Sequence, residues 1–123
     1  MKSLIHLFLA VQSAVFVFAA CAHFGVFGDR DDPGAAVAES IIAVVLLAGL
    51  ALTFTGPAGA RPVALVAQGF ALLGTLIGVT LVLTVGPRET FDVVVHVVML
   101  ALLIAGLAVT YRAPQALESA RGA

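Results

Sequence analysis

GPRETFDVVVHVVMLALLIAGLAVT, running from Gly86 to Thr110, opens on a glycine-proline turn and continues into an apolar segment long enough to cross a bilayer. Asp92 and His96 stand one helical turn apart at the mouth of that segment. A carboxylate and an imidazole are costly there unless something pairs with them. Partners must come from other apolar segments, and two of these carry His23 and Glu39 near the same membrane face.

Composition sets the class in which this stretch is read. Of 123 residues, 62% are hydrophobic and 11% charged, with a mean hydropathy of +1.17. A soluble domain of this length could not bury that much apolar surface, so the solvent for most of the chain is lipid. The net charge of -1 and the lack of any Lys or Arg run leave no electrostatic basis for binding nucleic acid. One cysteine excludes an internal disulfide and a Cys-pair metal site. With no Trp and one Tyr, the interfacial aromatic belt rests on Phe.

Four apolar segments divide the chain, at residues 4–27, 36–55, 62–85 and 91–111, and they predict a single integral membrane domain over residues 1–123. The basic start and the small residues Ala19, Ala20, Cys21 and Ala22 also resemble a signal-peptide cleavage region. The apolar run continues through Phe27 to spanning length, which favours a retained span. Gly28 to Gly34 is a polar loop in which Asp32 before Pro33 reads as a helix N-cap. Turns at Gly56–Arg61 and Gly86–Glu89 separate the remaining spans, and Pro62 opens the third.

Short connections make neighbouring spans antiparallel. The expected fold is therefore all-α, a transmembrane up-down-up-down four-helix bundle. Lys2, Arg61, Arg112 and Arg121 fall on the side of the termini, and only Arg30 and Arg88 on the other. The positive-inside rule then puts both termini in the cytoplasm and the acidic first loop outside. At about 1.5 Å per residue, His23, Glu39 and His96 lie about 6, 5 and 8 Å inside their spans, with Asp92 near the surface. On the first helix Gln12, Phe16, Ala19 and His23 share a face; on the fourth, Asp92, His96, Met99 and Leu103 form a stripe. An inward polar layer of His23, Glu39, Asp92 and His96 follows. Gln12 and Gln68, at matching depth, either bond across helices or continue a polar path toward the cytoplasm. Gly74 and Gly78 form a GxxxG pair for close helix packing, within the bundle or in a homodimer.

Several functions are compatible with such a layer. In the first, Asp92 pairs with His96 and Glu39 with His23. The layer then fixes helix register in an accessory or binding subunit of a larger membrane assembly. In the second, the layer handles a ligand or ion. His23 and His96 would ligate a transition metal, with Glu39 and Asp92 supplying oxygen, or clamp a haem iron. The same groups would otherwise couple protons to binding or transport of a small solute. The third is a membrane enzyme acting on a lipophilic substrate. The chain holds no Ser-His-Asp set and no phosphate-binding glycine loop, and no catalytic residue is assigned.

The runs ESIIAVVLLAGL, RPVALVAQGFALLGTLIGVTLVL and GPRETFDVVVHVVMLALL, in a stretch from about Glu39 to Leu107, resemble small four-span inner-membrane proteins of bacteria. The glycine-proline-arginine turn followed by Asp92 and His96 is the most distinctive part. The resemblance implies a bacterial inner-membrane protein of about four helices and carries over no functional residue. Glu89-Thr90-Phe91, between turn and Asp92, departs from the pattern and bears on how the last helix begins.

Overall fold

The computed structural model describes residues 1–29, 31–55, 59–86 and 89–114. Among them are four helices and no strand: α1 Lys2–His23, α2 Pro33–Thr55, α3 Ala60–Thr84 and α4 Thr90–Arg112. All four are long and apolar enough to cross a membrane. Consecutive helices pack side by side, and α1 closes the ring against α4. The helix sense follows from particular contacts. His23 at the end of α1 meets Glu39 near the start of α2, Gly49 late in α2 abuts Ala67 early in α3, and Gly78 late in α3 abuts His96 early in α4. The chain is an up-down-up-down bundle and a small integral membrane protein.

The inward faces follow a period of 3.5 residues. On α1 the buried residues include Ile5, Leu9, Gln12, Phe16, Ala19 and His23, in alternating steps of four and three. Ala60, Ala64, Ala67 and Ala71 on α3 repeat the pattern, as do Met99, Leu103, Gly106 and Thr110 on α4. Such a seam is the signature of slightly inclined, knobs-into-holes packing. Gly74 and Gly78 continue the α3 seam and are used inside the chain. A Cβ on Gly74 would lie 2.7 Å from Ile42 Cδ1 of α2, and one on Gly78 3.0 Å from His96 Nε2. The outer faces stay apolar, with Val66, Leu73, Ile77, Val97 and Ile104 exposed. A surface of that kind is at home in hydrocarbon.

Helix ends set the level of the polar residues. α1 stops at His23, four residues before the expected end of its span, because Gly25 takes a φ of 76°. The Gly25 and Val26 amides then donate to the Ala22 and Cys21 carbonyls, forming a Schellman turn. His23 therefore sits in the last turn of α1. Asp32 caps α2 as its sequence predicts: its Oδ1 accepts from the Ala35 amide at 3.0 Å. Its own amide donates to the His23 carbonyl at 3.0 Å, which holds the start of α2 beside the end of α1. α3 begins at Ala60, two residues ahead of Pro62, which is tolerated in a first turn whose amides lack helical acceptors. At the opposite end Arg61 donates to the Tyr111 carbonyl at 3.1 Å, tying α3 to the end of α4.

The ring is not square. α1 and α3 touch across it, whereas α2 and α4 do not, among the described residues.

Candidate functional site

At the end where α2 and α4 begin, the bundle encloses a cleft of about 650 Å³. Glu39, Asp92 and His96 line it from α2 and α4, Thr75 and Gly78 from α3, and His23 and Phe16 from α1. Asp29, Asp31, Asp32 and Glu89 rim it, so six of the chain's seven acidic residues face one cavity. No Lys or Arg lines it among the described residues; Arg30, Arg88 and Glu118 lie outside them. The deeper wall is apolar, with Ile42 and Met99 beside Phe16.

All four residues expected in the polar layer reach this cleft, three of them through one imidazole. His23 Nδ1 lies 2.7 Å from Glu39 Oε2, and its Nε2 lies 3.1 Å from Asp92 Oδ1. His23 and Glu39 are 4% and 6% exposed, so water competes little for either bond. Each nitrogen–oxygen pair needs one proton between its atoms. An imidazolium between two carboxylates meets that need, and so does a neutral imidazole with one protonated carboxyl. Either way the three groups together carry one negative charge. Glu39 Oε1 is buried and has no hydrogen-bond partner.

The pairing of Asp92 with His96 takes another form than the sequence implies. His96 Nδ1 lies 2.7 Å from the backbone oxygen of Asp92, while the Asp92 carboxylate turns to His23. A carbonyl only accepts, so His96 carries its proton on Nδ1 and presents Nε2 as an acceptor when neutral. Glu89 occupies the N-cap position of α4, which puts Asp92 in the first turn and within reach of His23.

The two histidines that the sequence suggests as metal or haem ligands are already hydrogen-bonded within the protein. Both ring nitrogens of His23 are committed to carboxyl groups, and His96 offers only Nε2. Among the described residues no three His, Cys, Asp or Glu side chains are grouped to hold a metal ion.

Gln12 and Gln68 lie deeper and do not join the layer. Gln12 Nε2 donates to the Leu102 carbonyl at 2.9 Å and Gln68 Nε2 to Thr110 Oγ1 at 3.0 Å. Both amides crowd the face of Gly106, where a Cβ would collide with them. On the α1 seam Phe16 and Ala19 stand between Gln12 and His23, and both are buried. Thr80 and Thr84, at the depth of the layer, bond back to their own helix carbonyls.

Sequence reasoning missed three parts of the site. Gly78, the rim acids Asp29 and Asp31, and Ile42 all line the cleft, beside Phe16 and Met99, which the helical faces of His23 and His96 already turned inward. Extending the α1 seam spacing to α3 would have turned Gly78 inward. Comparison with protein-family models, curated proteins and solved structures gives no match to this chain.

Proposed function

We propose that this protein is a membrane binding subunit whose acidic cleft takes up a small organic cation. The carrying observation is Glu39: a carboxyl group buried on a membrane-spanning helix, with Oε1 lacking a partner in a cleft that collects six carboxyl side chains. An unsatisfied buried acceptor costs about 1–3 kcal/mol, more when charged, and a cation with its own hydrogen-bond donors removes that cost. The apolar wall suits an organic body better than a hydrated ion. The charge distribution supports an orientation with both termini cytoplasmic and the cleft open to the outside, and the resemblance to small four-span proteins supports a bacterial inner-membrane setting.

The same bridge favours a second reading, that of an accessory protein whose His23–Glu39–Asp92 layer fixes helix register within a larger assembly or homodimer. Melting of the detergent-purified protein with benzylamine, benzyltrimethylammonium and the uncharged benzyl alcohol separates the two. Cation binding predicts that a charged probe raises the melting temperature beyond benzyl alcohol, and that Glu39→Gln abolishes the difference. Equal behaviour of all three probes, with assembly lost in Glu39→Gln, sinks the binding reading and supports the structural one.

A further inference from the structure

The chemistry of the bound cation is legible in which hydrogen-bonding atoms of the cleft are already used. His23 spends both ring nitrogens on Glu39 and Asp92. His96 spends Nδ1 on the Asp92 carbonyl. Thr75 spends its hydroxyl proton on the Ala71 carbonyl. Among the described residues, Glu39 Oε1 is buried with no hydrogen-bond partner, and His96, which bonds through Nδ1, turns Nε2 toward Gly78. As a carboxylate and a neutral imidazole, both are acceptors.

We infer that the ligand is an N–H-bearing organic cation, a primary or secondary ammonium or an amidinium, held by hydrogen bonds to Glu39 Oε1 and His96 Nε2. This rests on the cation-binding reading and narrows it. Two acceptors with no free donor between them among the described residues select against quaternary ammonium groups, which carry charge but no N–H. Charge-assisted hydrogen bonds are short and strong, and leaving a buried acceptor unpaired is penalised, so the selection is steep. Gly78 keeps the imidazole accessible, since a Cβ there would stand 3.0 Å from Nε2.

The test is the affinity of the full-length protein for benzylamine against benzyltrimethylammonium, matched in apolar body and charge. Benzylamine is expected to bind at least about tenfold tighter, which corresponds to about 1.4 kcal/mol. Gly78→Ala, which removes no charge, is expected to cut that preference by crowding Nε2. Equal or tighter binding of the quaternary probe overturns the donor inference while leaving cation binding intact. Failure of both probes to bind overturns the cation reading and the inference with it. A melting profile for Gly78→Ala within a few degrees of the parent shows that a lost preference reflects the site.

Discussion

His23 sends its two hydrogen bonds in different directions, one into α2 and one into α4, from the last turn of α1. Removing it leaves Glu39 facing only the cleft and takes a hydrogen-bond partner from Asp92. Breaking a buried pair from one side costs about 3–5 kcal/mol, because the remaining charge stays in a poor solvent. His23→Leu is therefore expected to destabilise the bundle by about that much in a reversible detergent-unfolding titration. Adding Glu39→Leu should return part of the loss, since the double variant buries no unpaired carboxylate. A double variant less stable than the single one would show that Glu39 has other support. The sequence identifies these residues, because ionisable groups inside apolar segments are few. It does not identify the bonds. Asp92 and His96 one turn apart read as a side-chain pair, yet the imidazole finds the backbone carbonyl of Asp92, freeing the carboxylate for another helix.

At the scale of the helix, glycine decides how near two backbones come. Gly49 lies where a Cβ would fall 2.6 Å from Ala67 Cβ, whereas a Cβ on Gly69, also helical, meets nothing within 4 Å. Gly49→Ala is expected to separate α2 from α3 and cost about 1–3 kcal/mol. Gly69→Ala should gain about 0.5–1 kcal/mol through helix propensity alone. Equal effects of the two substitutions, measured by the same unfolding titration, would mean that α2 and α3 are not in close contact. These differences are hard to read from sequence because α2 and α3 are apolar nearly all round. Lipid-facing Val66 and Leu73 look as hydrophobic as the interior, so amphipathicity gives little guidance to the inner face. Small residues mark it instead, as in the Ala60, Ala64, Ala67 and Ala71 seam. The turn that ends α1 is hidden in the sequence for a related reason: hydropathy runs on through Phe27, while the backbone turns at Gly25.

For the whole molecule, four apolar stretches and short turns make the bundle legible, whereas the cleft depends on α2 and α4 standing apart, which no local pattern encodes. The distribution of charge is legible and gives the molecule a direction. Lys2, Arg61 and Arg112 sit at one end, and the cleft with its six carboxyl groups at the other. Basic residues resist translocation, so the cleft should face outward. Cysteine labelling in a Cys21→Ser background tests this in intact cells. Asp31→Cys, exposed at the rim, is expected to react with a membrane-impermeant maleimide, and Lys2→Cys only after permeabilisation. The reverse pattern would turn the cleft to the cytoplasm and make it a receptor for internal amines. Either orientation leaves buried Phe16, Leu46, Met99 and Leu103 packed in the core between the cleft and the basic end, so binding does not by itself provide a route through the bundle.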